Sequence, residues 1–311
     1  AGAQGELTGM MMIRKAHDAA GNPRKIVLVP DSAHGTNPST AVTCGYTTHA
    51  IPTNEHGHVD IDAFNQAVDD LGEDIAAFML TNPNTCGLFE PDVKKIADKL
   101  HSIGAYFYCD GANFNAIVGK VRPGDLGVDV MQYNLHKTFS TPHGGGGPGC
   151  GPVSVSESLI DFLPSPRVVK VDGAYALDDK KELGIGRIKG FHGQFGMMVR
   201  ALAYMKSHGA DGLRKVAEDA VINANYVLAH LKEHYHQPFK GTCMHECLLN
   251  DRKQRDAGIT TMDIAKSLIE HGYHPMTVYF PMVVNGAMLI EPTETESKEE
   301  LDRFIATMKS I

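Results

Sequence analysis

Hydrophobic positions along this chain follow two rhythms that take turns. Short, nearly continuous apolar runs at residues 25–30, 75–80, 105–109 and 128–133 have the length and composition of buried strands. Helical stripes at 7–19, 39–45, 60–71 and 92–103 fall around and between them, and Gly21, Asn22 and Pro23 stop the first. Polar, turn-rich segments at 31–38 and 81–87 follow two of the strands. Such alternation predicts a parallel sheet with helical crossovers. After Pro164 the texture changes: a strand is expected at 168–172, a charged exposed segment at 178–182, and a glycine-rich passage at 184–196 containing Arg187, His192 and Gln194. Helices at 195–207 and 211–235 lead into strand, helix, strand, strand, helix at 242–249, 259–271, 277–280, 287–291 and 297–309. This divides the chain into a large domain, 1–190, and a region of connecting helices and a small α+β domain, 191–311.

In open α/β sheets ligands bind outside the carboxyl ends of the strands. That edge receives His34, Asn84, Asp110 and Lys137. Lys137 stands beside His136, Thr138, Ser140, Thr141 and the glycine run 144–147, among donors suited to an anionic cofactor. A partly desolvated lysine amine loses its proton more readily and becomes a nucleophile for a Schiff base. Asp110, at another strand end, is the carboxylate that would keep a pyridinium nitrogen protonated. His34 would stack on the ring, and the small residues 2–5, read as preceding a helix, would leave its first N–H groups open to a phosphate. Pyridoxal phosphate (PLP) gives all of these positions a role.

Composition narrows the alternatives. Against 37 acidic residues stand 29 basic ones, a formal charge of −8 without a long basic run, which argues against nucleic acid and anionic membrane as partners. Six scattered cysteines read as reduced thiols of an intracellular protein. No apolar run reaches the roughly 20 residues of a membrane span, and no signal or transit segment is expected at the Ala1 start. The glycine run lacks the Gly-Lys-Ser/Thr of a P-loop, and no Gly-x-Ser-x-Gly elbow accompanies its likeness to a lipase oxyanion loop. Cys243-x3-Cys247, with His245 between, reads as strand packing, because structural zinc needs four ligands. His230 and His234 match the H-x-x-E-H of some zinc peptidases on one helical face, without a third ligand, and read as an exposed charged face. No metal is expected.

Longer stretches carry a resemblance. SAHGTNPSTA, CDGANFNAI, DVMQYNLHKTFSTPHGGGGPG, GRIKGFHGQFG, ADGLRKVAEDAVINANY and TVYFPMVVNGAMLIEPTETESKEELDRFI together resemble the glycine dehydrogenase (decarboxylating) family, the P-protein of the glycine cleavage system. The likeness is greatest to the subunit that carries PLP in two-subunit versions. It implies the fold type I architecture of PLP-dependent transferases, a mostly parallel doubly wound sheet plus a smaller α+β C-terminal domain, in an obligatory dimer-like arrangement with sites near the subunit boundary. It also implies Lys137 as the lysine joined to PLP as an aldimine, His34 stacked on the ring, Asp110 on the ring nitrogen and Ala112 on the other face. Asn113 would contact the ring hydroxyl, Ala3, Gln4 and His136 the phosphate, and Asn84 the ring side. Family members have a further segment ahead of the Gly-Ala-Gln-Gly-Glu motif in which this chain opens.

The reaction implied is decarboxylation of glycine on PLP, with attack of the aminomethyl carbon on the lipoyl disulfide of the H-protein. Lys137 or His34 would handle protons. Implied partners are lipoylated H-protein, a companion P-protein subunit or N-terminal half, and further copies in an oligomer. The implied location is the cytoplasm, or the mitochondrial matrix in a eukaryote. Other expectations kept open are a different fold type I enzyme, such as a cysteine desulfurase or amino-acid decarboxylase, and a catalytically silent assembly fragment. Arg187 and Arg200 are cations available for a substrate carboxylate.

Overall fold

A computed structural model describes residues 2–179 and 182–311. Lys180 and Lys181, within the segment expected to be charged and exposed, lie outside the described residues, as does Ala1. Helix α1 (Gly2–Ala19) precedes β1 (Ile26–Pro30), α2 (Thr36–Thr43), β2 (Thr47–Ile51), α3 (Ile61–Leu71), β3 (Ile75–Thr81), α4 (Val93–Ser102), β4 (Tyr106–Gly111) and β5 (Val130–Tyr133). The one-turn helix α5 (Leu135–Thr138) and β6 (Val153–Val155) follow, and the six strands form one sheet in the order β2-β1-β3-β4-β5-β6. Its first five members pair in parallel, and β6 runs antiparallel to β5.

Period-two alternation decides which helix covers which face. Leu28 of β1 joins Phe64, Val68, Ile96 and Leu100 beneath α3 and α4. Its neighbours Val27 and Val29 join Met10, Ile13 and Ala41 beneath α1 and α2. Asp60 starts α3 by accepting from the backbone N–H groups of Asp62 and Ala63. In α1 the glycines have a different purpose from the one expected. Gly2 already begins the helix, so residues 2–5 are its first turn and not a loop ahead of it. A Cβ on Gly5 would approach the Gly151 carbonyl to 2.8 Å, and one on Gly9 the Tyr108 ring to 2.7 Å. Glycine therefore lets α1 lie close on β4 and β5, which brings its N-terminus to the strand ends.

A hairpin of β7 (Arg167–Val171) and β8 (Ala174–Asp178) leads to the long helix α6 (Phe195–Leu231). Gly209, at φ 64° and ψ −174°, breaks α6 between the two helical stretches expected there. Because α6 ends at Leu231, His234 lies beyond it. His230 and His234 thus share no helical face, and both are exposed, so the zinc-peptidase pattern has no geometry behind it. The remaining elements are β9 (Cys247–Asn250), α7 (Thr261–Glu270), β10 (Thr277–Val278), β11 (Ala287–Ile290) and α8 (Lys298–Ser310). Their antiparallel sheet, β10-β11-β9, and the second half of α6 enclose Val227, Leu231, Leu249, Ile264, Met288 and Ile305. Cys243 and Cys247 are buried in that same apolar core. Among the described residues no helix is long and apolar enough to cross a membrane.

Candidate active site

The carboxyl ends of β1, β4 and β5 and the start of α1 meet at one cleft of about 1470 Å³. Ala3, Gln4, His34, Asp110, Ala112, Asn113, His136 and Lys137 all line it. Val168 and Leu177 of the hairpin, Thr277 and Leu289 of the small sheet, and Glu291 just after β11 form further walls. Asn84 does not line it. Its Nδ2 donates to the Gly57 carbonyl at 2.8 Å and to Glu90 Oε1 at 2.7 Å, while its Oδ1 accepts from the Cys86 and Leu88 N–H groups. Every polar group of that amide is occupied in holding the loop after β3.

Asp110 is 2% exposed and held from three directions. Its Oδ1 accepts from the Ala112 N–H at 2.9 Å and from the Gln132 amide, and its Oδ2 accepts from Asn37 Nδ2 at 3.1 Å. Gln132 Oε1 in turn accepts from the Tyr108 hydroxyl at 2.6 Å. This carboxylate cannot swing away without breaking a buried network. Near it, Glu6 is buried and pushed up to about 7, first by burial and then by the charge of Asp110.

Lys137 occupies α5 and is exposed to the cleft, in contrast to the partial desolvation expected of it. Whatever fills the cleft has to supply that desolvation. Its neighbour His136 is pushed down to about 4, by burial and then by His143 and Lys137, so the imidazole is neutral at pH 7. Its ring meets that of His143 edge-on at 4.6 Å. His34 makes a similar contact with Phe280 at 5.7 Å.

The small sheet brings an acidic cluster to the same cleft. His245 Nε2 lies 3.8 Å from Glu246 Oε2 and 3.7 Å from Glu291 Oε1, and the three ligand atoms lie within 4.8 Å of one another. One nitrogen and two carboxylates at this spacing could hold a metal ion. The Lys137 charge, however, favours the ionised form of both carboxylates and opposes protonation of His245. The lysine is thus already a countercharge for this cluster, opposing a second cation there. Burial, then Glu291, pushes Glu246 up to about 8, and burial pushes His245 down to about 3. Asn113 Nδ2 donates to Glu246 at 3.5 Å and Asn115 Nδ2 to Glu291 at 3.3 Å, joining this cluster to the loop after Asp110.

Glu6, Asn37, Gln132, Glu246 and Glu291 were not among the expected site residues. The signal for Glu246 and Glu291 was their position at the two ends of buried runs, 247–249 and 287–290. For Glu6 it was the motif containing Ala3 and Gln4.

The cleft fits PLP on its own features. Thr81 Oγ1, Asn134 Oδ1 and His136 Nδ1 are buried without a hydrogen-bond partner among the described residues, and all three residues line the cleft. Buried polar atoms of this kind call for a polar occupant. A helix N-terminus for a phosphate, a fixed carboxylate for a ring nitrogen and an accessible amine for an aldehyde surround the same space.

Fold and cleft together define the fold type I architecture of PLP-dependent enzymes, with its mostly parallel sheet and C-terminal domain. The description "Aminotransferase class-V" matches residues 8–167, and the chain belongs to that family. "Glycine dehydrogenase, C-terminal domain" matches residues 216–311. A protein of Caulobacter vibrioides named probable glycine dehydrogenase (decarboxylating) subunit 2 is 60% identical over 100% of this chain and 60% of its own length. The resemblance read from the sequence motifs is therefore borne out. The solved structure of glycine decarboxylase (P-protein) of the glycine cleavage system, in inhibitor-bound form, superposes with TM-score 0.79 at 21% identity, over 99% of this chain and 69% of the other. Glutamate decarboxylase from Lactobacillus brevis does so with TM-score 0.76 at 15% identity, over 99% and 72%. At these identities the two structures show the fold alone. The chain spans about 60% to 64% of the length of its curated relatives.

Proposed function

We propose that this chain is the PLP-carrying part of a glycine dehydrogenase (decarboxylating), which releases carbon dioxide from glycine and passes the aminomethyl group to the lipoyl arm of the H-protein. The observation that carries the reading is the meeting of Lys137, Asp110 and His34 with the start of α1 in one cleft. Relatives with that printed name supply the reaction.

PLP, when bound, supplies an electron sink for the pair left by the departing carboxylate. Lys137 is the amine that would hold its aldehyde carbon. Asp110, braced by Asn37, Gln132 and the Ala112 N–H, would keep the proton on the ring nitrogen. His34 and Ala112 would take the two ring faces and Asn113 the ring hydroxyl. Ala3, Gln4 and His136 would hold the phosphate, with the helix dipole of α1 behind them. Beside Lys137 and His34, Glu246 is a third proton carrier, since it keeps its proton up to about pH 8.

Residues 1–190 would form the PLP-binding domain and 191–311 the connecting helices and small domain. Exposed apolar side chains support the reading that partners cover this chain: Val168, Tyr175 and Leu177 on the hairpin, and Phe195, Val199 and Leu202 on α6. A companion P-protein subunit or N-terminal half, a second copy, and lipoylated H-protein are the partners of this reading. A cytoplasmic setting belongs to the same reading, and the bacterial relatives support it.

Cysteine desulfurases and amino-acid decarboxylases remain the second reading, on the shared fold. Exchange of labelled carbon dioxide separates the two. It is expected with glycine, in the presence of the companion subunit and lipoylated H-protein, and not with cysteine or glutamate. PLP-dependent turnover of either of those, independent of the lipoyl carrier, would overturn the glycine reading. Tight PLP uptake without any exchange would leave an assembly fragment.

A further inference from the structure

Glu6 has no place among the cofactor contacts above, yet two of them meet at it. It lies in the second turn of α1 and is 4% exposed. Its Oε1 accepts from the Thr36 hydroxyl at 2.8 Å and its Oε2 from the Thr40 hydroxyl at 3.1 Å. Thr36 reaches His34 twice: its backbone N–H donates to Nδ1 at 3.1 Å, and its hydroxyl oxygen lies 2.9 Å from the same nitrogen. Asn37, fully buried, donates to Asp110 Oδ2 at 3.1 Å, and its side-chain amide also favours the ionised form of Glu6.

We propose that Glu6 is a positioning residue that sets His34 and Asp110 against one ring, through Thr36 on one side and Asn37 on the other. The inference rests on the PLP reading of the cleft. Glu6 acts from helix α1, the element that also presents Ala3 and Gln4. One side chain therefore ties the proposed phosphate end of the cofactor site to its ring end.

The proton on Glu6 decides how the Thr36 hydroxyl points. When Glu6 is protonated, its O–H donates to Thr36 Oγ1, and the Thr36 hydroxyl donates to His34 Nδ1. When Glu6 is ionised, the one hydroxyl proton of Thr36 goes to the carboxylate, and His34 keeps only the backbone N–H. In both states Nδ1 is the acceptor, so the neutral imidazole carries its proton on Nε2. The titratable groups around Glu6 are Asp110 and Tyr108 on β4 and, beyond Thr36, His34. Burial pushes Tyr108 far up, so it stays protonated. Of the two buried carboxyls, Glu6 is the one whose protonation burial and the Asp110 charge both favour, up to about pH 7.

Two measurements test this. Equilibrium binding of PLP is compared in Glu6→Ala, Glu6→Gln, Asp110→Ala and the Glu6→Ala/Asp110→Ala pair. Glu6→Ala is expected to weaken PLP about tenfold, as loss of a buried hydrogen-bonded support does. Glu6→Gln, which mimics the protonated carboxyl, is expected to stay within about threefold of the wild type. The double variant is expected to lose less than the sum of the two single losses, because with Asp110 gone Glu6→Ala removes only the arm through Thr36 to His34. Wild-type affinity in Glu6→Ala, or fully additive losses, overturns the proposal. Thr36→Val cuts only the His34 arm and serves where Glu6→Ala does not fold; it is expected to weaken PLP, and unchanged binding would overturn that arm. The second measurement needs no cofactor. The infrared carboxyl band present in wild type and absent in Glu6→Gln is expected to vanish around pH 7, and at lower pH once Asp110→Asn removes the neighbouring charge. A band indifferent to Asp110→Asn overturns the link between the two acids. Failure of the wild type to take up PLP defeats the cofactor reading, and the infrared result still decides the link.

Discussion

Asn37 Nδ2 donates to Asp110 Oδ2 at 3.1 Å, and both residues are buried, so one hydrogen bond fixes the segment after β1 to the end of β4. A carboxylate braced this way presents its charge without rearrangement when a pyridinium nitrogen arrives. Asp110→Asn preserves the packing and removes the charge. Loss of a charge-assisted hydrogen bond costs about 1.5–3 kcal/mol, which weakens PLP roughly 10- to 100-fold. Equilibrium dialysis reads this directly; equal affinity in the variant would mean that Asp110 does not face the ring nitrogen.

Asn84 gives the opposite expectation. Its amide holds the Gly57 carbonyl, Glu90 and two loop N–H groups, away from the cleft. Asn84→Ala leaves buried partners short of a hydrogen bond and should destabilise the fold by about 1–3 kcal/mol, measured by urea unfolding. PLP affinity of the folded protein should not change. Weaker PLP binding at unchanged stability would return Asn84 to the cofactor.

Buried carboxyls also set the pH dependence of stability. Burial is the first cause raising Glu6 and Glu90 to about 7 and Glu246 to about 8, against an ordinary value of 4.5. Between those limits the folded chain binds more protons than the unfolded one, so stability falls as pH rises. His17, His58, His136 and His245 are lowered by burial and push the other way, but only up to their ordinary value of 6.5. From pH 6.5 to about 8 the carboxyls act unopposed by these histidines. Melting temperature should fall across that window, and Glu90→Gln, which removes one titration away from the cleft, should flatten part of the fall. A flat or rising profile in the wild type contradicts this.

The parallel sheet was legible because its central strands are buried on both faces. Residues 75–81 form one unbroken buried run in β3, the pattern of a central strand covered on both faces. Strand β2 was missed for the converse reason. Thr47, His49 and Ala50 are exposed on an edge strand, so no apolar alternation marks it. Lys137, Asp110 and His34 were legible as polar residues just beyond apolar runs. Glu6, Glu246 and Glu291 were not, since a carboxylate in a sequence reads as surface until packing shows it buried or facing a cleft. Asn84 misled because a turn-rich loop after a strand looks the same whether its amide binds a ligand or its own backbone.

The most direct test of the cofactor assignment begins with PLP added to the protein, followed through its visible absorption and then fixed by borohydride reduction. Peptide mapping locates the label. Attachment at Lys137, absent from Lys137→Ala, is expected. A label on another lysine, or the same absorption and labelling in Lys137→Ala, would contradict the site.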